Sequence, residues 1–112
     1  MRSDTDQNAL RDILHQINLA QAFTQGQDQQ TFITDIMRVY AVTRCLEIIS
    51  EASRRLSDDL KARHPGIAWR EMAGAGNIYR HDYEDVASPR VWDTVQFALP
   101  ALRAAIEQEL GS

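Results

Sequence analysis

The chain has 112 residues, a length that fits one domain and is short for two. Hydrophobic residues make up 44% and charged residues 25%, a balance typical of folded globular proteins that excludes global disorder. The formal net charge of −4 excludes a protein that binds nucleic acid through a basic surface over the whole molecule, so any RNA contact has to come from a few arginines. We therefore expect a single domain over residues 1–112.

Cysteine usage and apolar runs bear on the compartment. Cys45 is the only cysteine in the sequence, so no internal disulfide can form and a reducing compartment is the default. No apolar run approaches the roughly 20 residues that span a bilayer, and residues 1–6 lack the apolar core of a signal peptide. We expect a cytoplasmic protein with no membrane partner, in which Cys45 is a buried thiol and not a nucleophile.

The first predicted helix begins after Asp4 or Asp6 and ends near Thr24. Gly26 and the polar residues around it then predict a turn. Apolar residues recur along this helix at steps of three or four and form a narrow stripe, which consists of Leu10, Ile13, Leu14, Ile17 and Ala20.

The second predicted helix is the longest, running from Gln29 or Thr31 to about Arg63. The apolar surface of this helix is too broad to be covered by one neighbour. We therefore expect the helix to be central and to contribute to a subunit interface. His64, Pro65 and Gly66 then end it. One apolar face continues over about eight turns and consists of Phe32, Ile36, Val39, Thr43, Leu46, Ile49, Ser53, Leu56 and Leu60.

The last predicted helix begins at Ser88 and Pro89, a good N-cap followed by proline at the first helical position. Its three-four apolar stripe continues nearly to the C-terminus, and Pro100 inside the stripe predicts a kink and not a break. No segment shows strand alternation. Together with a short third helix from about Ala68, these elements predict an all-α fold, an antiparallel bundle of four main helices.

The chemically richest stretch, residues 74–85, follows the third helix. It gathers two glycines, an amide, a guanidinium, an imidazole, two phenols and three carboxylates. If that helix continues through it, Asn77, Arg80 and His81 fall at i, i+3 and i+4, so their side chains share one face. Tyr83 lies at or past the helix end, where its hydroxyl can reach the same place.

An arginine beside a histidine is a workable minimum for cutting a phosphodiester without a metal. The guanidinium of Arg80 would bind the phosphate and stabilise the charge of the transition state, and the imidazole of His81 would move the proton. The same residues could bind a phosphate without cleaving it. A histidine in an Arg-His-Asp run is also explained as a solvated residue near a helix terminus, so the residues alone leave all three interpretations open.

The order of these landmarks resembles the HepT-like toxins of the HEPN superfamily, over about residues 10–110. The resemblance is carried by Leu46-Glu47-Ile48-Ile49-Ser50-Glu51-Ala52, Pro65-Gly66-Ile67-Ala68-Trp69, His81-Asp82-Tyr83, Val91-Trp92 and Leu99-Pro100-Ala101-Leu102. It implies a HEPN-like bundle and a metal-independent endoribonuclease that needs no cofactor and cleaves RNA. It also implies a two-fold homodimer, in which two motifs face a shared cleft, and a minimal nucleotidyltransferase antitoxin as partner.

The family signature is an arginine, an asparagine directly after it, a short spacer and then His-x-Tyr. Carried over, the asparagine falls on Asn77, the histidine on His81 and the tyrosine on Tyr83, which the resemblance also implies is adenylylated by the partner. Gly76 stands where the family has its arginine. The nearest guanidinium is that of Arg80, one helical turn further along the same face.

Together, the chemistry of the residues and the resemblance lead to one main hypothesis, which gives each of the four residues a role. His81 is the expected general acid–base, Arg80 the clamp on the phosphate, Asn77 the residue that orients them, and Tyr83 a phosphate-positioning residue and modification site. Two other hypotheses remain: a nuclease-inactive helical dimer that binds a nucleotidyltransferase, as the departure at Gly76 favours, and a structural helical dimer unrelated to toxins.

Overall fold

The structure is a computed structural model that describes residues 3–74 and 87–111. All regular elements in these two ranges are helical, which confirms the predicted all-α class. The elements are α1 (Asp4–Thr24), α2 (Gln29–Ile33), α3 (Ile36–Arg54), α4 (Asp58–Ala62), α5 (described over residues 69–74), α6 (Ala87–Asp93), a π-helical segment (Thr94–Ala98) and α7 (Leu99–Leu110).

Helix α1 ends at Thr24 as predicted and begins at Asp4, slightly before the predicted start, and local chemistry sets both of its ends. The side chain of Ser3 accepts a hydrogen bond from the backbone N–H of Asp6 and so caps the N-terminus. Past the C-terminus, Gly26 has a φ of +77°, which favours glycine. The predicted stripe is buried at four of its five positions, namely Leu10, Ile13, Ile17 and Ala20, while Leu14 is partly buried.

The prediction of one long helix from Gln29 to Arg63 is wrong, because two short polar side chains begin new helices inside that range. Asp35 has an extended backbone, and its carboxylate accepts the N–H of Arg38 as the N-cap of α3. Ser57 does the same for α4, accepting from the N–H of Leu60. Aspartate and serine stabilise helix starts better than helix interiors, so the backbone is interrupted at both places.

The interruption before α3 also changes which residues are buried. Ile36, predicted on the apolar face, is the first residue of α3 and is 65% exposed. Buried residues resume at Val39 and continue through Val42, Leu46 and Ile49. The restart at Asp35 therefore leaves the first turn of α3 open to solvent.

Helices α1 and α3 lie antiparallel, as the predicted bundle requires. At one end, the carboxylate of Asp6 in the first turn of α1 accepts from the N–H of Ser57, just after α3, at 2.8 Å. At the other end, Arg38 in the first turn of α3 donates to the carbonyl of Phe23, in the last turn of α1, at 2.8 Å. Helix α7 packs on α1.

The C-terminal helix is described from Ala87 and already includes Ser88, so the prediction of Ser88 as its N-cap is wrong. The helix continues past Pro100 through the π-helical segment, in which the N–H of Leu99 bonds to the carbonyl of Thr94, five residues back. The wider turn lets the chain accommodate a proline without a break. Within residues 3–74 and 87–111, no helix has both the length and the apolarity that crossing a membrane demands.

Candidate functional site

The four predicted site residues, Asn77, Arg80, His81 and Tyr83, lie outside the described residues, as does Gly76. Their roles remain predictions. The structure does describe the helices on either side, α5 up to residue 74 and α6 from Ala87, and it describes what holds α5 in place.

The start of α5 is fixed by Trp69. Its indole Nε1–H lies 3.1 Å from the carbonyl oxygen of Lys61 and 3.0 Å from that of His64, so it donates to the end of α4 and to the turn that follows. Trp69 and Met72, two apolar residues of this helix, are both partly buried against the core. The turn between α4 and α5 is therefore closed by a side chain as well as by its backbone.

The other end of the described part of α5 is held by α3. The carbonyl oxygen of Ala73 accepts from the hydroxyl of Ser50 at 2.7 Å. It also accepts from Nε of Arg54 at 3.0 Å and from Nη2 of Arg54 at 2.7 Å. We call Ser50, Arg54 and Ala73 the carbonyl clamp. It fixes the backbone three residues before Gly76.

The sequence indicated a different place for Arg54. On one continuous helix, Arg54 and Arg55 would form ion pairs with Asp58 and Asp59 along a solvated face. This prediction of ion pairs is wrong. Helix α3 ends at Arg54, so the two acids belong to the next helix. Arg55 instead pairs with Asp12 on α1 at 2.9 Å, while Arg54 turns toward α5.

A second charged cluster holds the turn between α4 and α5 on α7. The buried carboxylate of Glu109 accepts from Nη2 of Arg63 at 2.8 Å and from Nε of Arg63 at 3.1 Å. It also contacts Nε2 of His64 at 2.7 Å. The hydrogen bonds from Arg63, and after them the bond to His64, hold the pKa of Glu109 at about 2, although its burial acts in the opposite direction.

Neither the carbonyl clamp nor the Glu109 cluster was predicted from the sequence. Glu109 did carry a signal, because it follows Leu99, Leu102 and Ile106 at the three-four spacing of the buried stripe, where an acid needs a partner. The sequence contains no corresponding signal for Ser50 and Arg54, because the group that they both bind is a backbone carbonyl, which every residue has.

A polar cleft of about 630 Å³ lies elsewhere, between the C-terminal end of α1 and the π-helical segment. Its walls are rich in amide side chains, which donate and accept hydrogen bonds but do not take up a proton near neutral pH. They supply no general base and no strong nucleophile. The lining residues are Asn18, Gln21, Ala22, Thr24, Gln25, Gly26, Gln27, Val95, Gln96 and Pro100.

Metal-ligating side chains do not gather in the part of the chain that the structure describes. Over residues 3–74 and 87–111, no three histidine, cysteine, aspartate or glutamate side chains lie close enough to hold a metal ion. Cys45 is buried, as predicted, and burial raises the pKa of its thiol.

Comparison with known protein families gives a match over most of the chain. The matching family is described as ribonuclease HepT-like, and the match covers residues 13–109. The chain belongs to the HepT-like ribonuclease family. The matched range includes residues 74–85, the candidate site of this HepT-like chain, together with α5 and α6.

Curated relatives agree with the family. A Methanocaldococcus jannaschii protein named "Putative RNase" is 38% identical over 98 residues, which cover 88% of this chain and 90% of the relative. A Thermococcus cleftensis protein named "Probable ribonuclease HepT" is 38% identical over 99 residues, with the same two coverages, 88% and 90%. A second M. jannaschii protein with the same kind of name is 33% identical over 99 residues, 88% of this chain and 85% of the relative. No solved structure matches this HepT-like chain.

Proposed function

We propose that this chain is the toxin subunit of a HepT-like toxin–antitoxin pair and that it cleaves RNA internally without a metal ion. Membership of the HepT-like ribonuclease family, matched across residues 13–109, carries the proposal. Relatives named as ribonucleases at 33–38% identity support it. The proposal treats residues 1–112 as one catalytic domain.

The proposed chemistry uses four side chains of residues 74–85. His81 moves the proton as general acid–base, and Arg80 grips the phosphate and stabilises the charge that grows on it in the transition state. Asn77 orients the reacting groups, and Tyr83 positions the phosphate. The firm hold that α3 and α4 have on α5 supports this assignment, because acid–base catalysis needs a rigid support.

The active form in this proposal is a homodimer whose two motifs face one cleft. The first turns of α3 support it, because three large apolar side chains are exposed there: Ile36 at 65%, Met37 at 83% and Tyr40 at 60%. Contiguous apolar surface of this kind on a protein is typical of an interaction site. We call these three residues the α3 apolar surface and propose that a second copy of the chain covers it.

The proposed partner is a minimal nucleotidyltransferase antitoxin, which silences the toxin by transferring AMP from ATP to the oxygen of Tyr83, with release of pyrophosphate and the phenolic proton. Adding a nucleotide to the phenol would fill the phosphate site with a covalently held phosphate. Mass spectrometry of the chain after incubation with that partner and ATP tests this step, and it should add one AMP to wild type and none to Tyr83→Phe.

A second candidate function follows from Gly76, which stands where the family signature has its arginine. Without a cation at that position the chain could be a nuclease-inactive dimer whose work is to bind the nucleotidyltransferase. Loss of a preorganised group that stabilises transition-state charge costs about 100- to 1,000-fold in rate. The two functions therefore differ in activity, not in fold or partner.

Cleavage of labelled RNA by the purified chain, with EDTA present, tests the proposal. Wild type should cut, and His81→Ala should lose about 100-fold or more of the rate, since a general acid–base supplies that much. Arg80→Ala should lose a similar amount. His15→Ala and Arg55→Ala are matched controls, because both residues are exposed and lie on α1 and just after α3, and both should cut like wild type.

Two outcomes contradict the nuclease proposal. If His81→Ala cuts as well as His15→Ala, His81 has no part in the mechanism. A wild type that cuts no RNA, while still binding the nucleotidyltransferase, favours the nuclease-inactive dimer.

A further inference from the structure

The carbonyl clamp joins the last described turn of α5 to α3 through a single acceptor. Three donor atoms from two side chains converge on the Ala73 oxygen, at 2.7, 2.7 and 3.0 Å. Nη2 of Arg54 also lies 3.4 Å from the hydroxyl of Ser50, so the two donors contact each other as well as the carbonyl. The clamp is thus one connected unit.

The two donors differ in a way that reveals what the clamp does. Ser50 is neutral and 1% exposed, buried in the packing of α3, whereas Arg54 is charged and lies at the surface. A solvated arginine held only by a carbonyl gains little stability for the fold, because water competes for the same donors. The effect of such a contact is geometric, since it fixes the position of one backbone atom.

The position of that atom matters for the proposed site. Ala73 precedes Asn77 by four residues and His81 by eight, so a shift of the Ala73 backbone occurs close in sequence to the motif. Catalysis by positioned groups is sensitive to such shifts, and a misplacement of about 1 Å costs on the order of 100-fold in rate.

We infer that Ser50 and Arg54 are positioning residues for RNA cleavage, and that they act by holding the Ala73 carbonyl against α3. The inference rests on the proposed nuclease function. It assigns neither residue a contact with RNA: Arg54 acts through its hydrogen bonds and not through its charge. Because both residues act on one oxygen, their effects on the rate are not additive.

The chain offers a matched control for each variant. Ser53 lies three residues after Ser50 on α3 and is also buried. Its hydroxyl donates to the carbonyl of Ser50 within the same helix, at 2.7 Å. Arg55, next to Arg54, makes a surface ion pair with Asp12. Ser50→Ala is therefore compared with Ser53→Ala, and Arg54→Ala with Arg55→Ala.

Steady-state cleavage of a short RNA separates positioning from binding. Ser50→Ala and Arg54→Ala should each lower kcat by about 10- to 100-fold with KM unchanged. The double variant should be no slower than the slower single variant, and both control variants should keep the wild-type kcat. Melting temperatures measured alongside should fall no further in Ser50→Ala than in Ser53→Ala.

Two results with an active wild type overturn the inference alone. In the first, the clamp variants keep the kcat of their controls. In the second, Arg54→Ala is slow while Ser50→Ala is fully active, which assigns the effect to the charge of Arg54 and not to the clamp.

A wild type that cuts no RNA contradicts the proposed function instead, and hydrogen exchange then tests the positioning. Amide exchange in peptides that cover residues 75–86, measured by mass spectrometry, should be faster in Ser50→Ala than in Ser53→Ala if the clamp holds the motif. Equal exchange in the two variants overturns the inference whatever the activity.

Discussion

At the scale of single residues, Glu109 shows how a buried charge is made compatible with a helical core. Its side chain is 8% exposed, and it makes bonds to Arg63, which is 51% exposed, and to His64, which is 10% exposed. The carboxylate of Glu109 is thus hydrogen-bonded to the solvent-exposed guanidinium of Arg63 and to the largely buried imidazole of His64. The cluster joins α7 to the turn that leads into α5.

We predict that Glu109→Gln lowers the free energy of unfolding by about 1.5–3 kcal/mol, because hydrogen bonds to a charged group are lost. Glu107→Gln is the matched control, since Glu107 is exposed and pairs with Arg103 at 3.3 Å in the same helix. That exposed pair contributes only about 0.3–0.5 kcal/mol. Urea denaturation at pH 7 measures both, and equal losses would contradict a structural role for the cluster.

The same residue predicts a pH dependence. The pKa of Glu109 falls from its ordinary value of 4.5 to about 2, so its stabilisation is present above about pH 4.5 and is lost as the pH falls toward 2. At about 1.4 kcal/mol per unit the shift corresponds to roughly 3 kcal/mol, an upper figure because Arg63 is half exposed. The stability difference between wild type and Glu109→Gln should therefore shrink over this range.

At the scale of helices, the division of the predicted long helix is the main departure from the sequence pattern. The apolar steps of three and four run through Phe32, Ile36 and Val39 without a visible gap, so periodicity alone predicts continuity. The interruption comes from Asp35, whose carboxylate bonds both the N–H and the Nε of Arg38. A cap of this kind is local chemistry that a search for apolar stripes does not detect.

Asp35→Ala tests that explanation. Loss of an N-cap costs about 0.5–2 kcal/mol, so we expect the variant to unfold at correspondingly lower urea concentration. Asp93→Ala is the control, because Asp93 is exposed and makes no cap hydrogen bond. A variant as stable as this control, or more stable than wild type through fusion of α2 with α3, would show that Asp35 does not set the break.

Other elements were predictable because one signal dominated. The apolar stripe of α1 and the turn at Gly26 predicted the course of that helix to Thr24, and the prediction that the chain continues past Pro100 is confirmed. The π-helical segment before Pro100 was not predictable, since its wider turn reflects how the chain packs on both sides of the proline. The carbonyl clamp depends on tertiary contact between α3 and α5, which no local pattern encodes.

At the scale of the whole molecule, the sequence predicted the fold class and the family, and both are confirmed. It also predicted the chemistry of residues 74–85, and those residues lie outside the described ranges, so the assignment of Asn77, Arg80, His81 and Tyr83 stays a prediction. What the structure adds is the frame around the motif: α5 held by Trp69 at one end and by the carbonyl clamp at the other.

The proposed dimer gives a prediction at this scale. Met37→Glu places a charge in the middle of the α3 apolar surface, where it costs the single chain little because Met37 is 83% exposed. Light scattering after size exclusion should show a dimer for wild type and a monomer for this variant. Phe97→Glu, at a residue 78% exposed on the π-helical segment, should stay dimeric. The reverse pattern would move the interface to the π-helical segment.

The buried thiol makes opening of the core measurable. Cys45 is 3% exposed and its pKa is raised by burial, so in the folded chain both access and ionisation limit its reaction with a thiol reagent. Modification then requires the helices around α3 to separate, and its rate reports how often they do so under native conditions. A second cysteine introduced at an exposed position could be labelled selectively before Cys45 reacts. Probes for distance measurements can then be attached without altering the native sequence elsewhere.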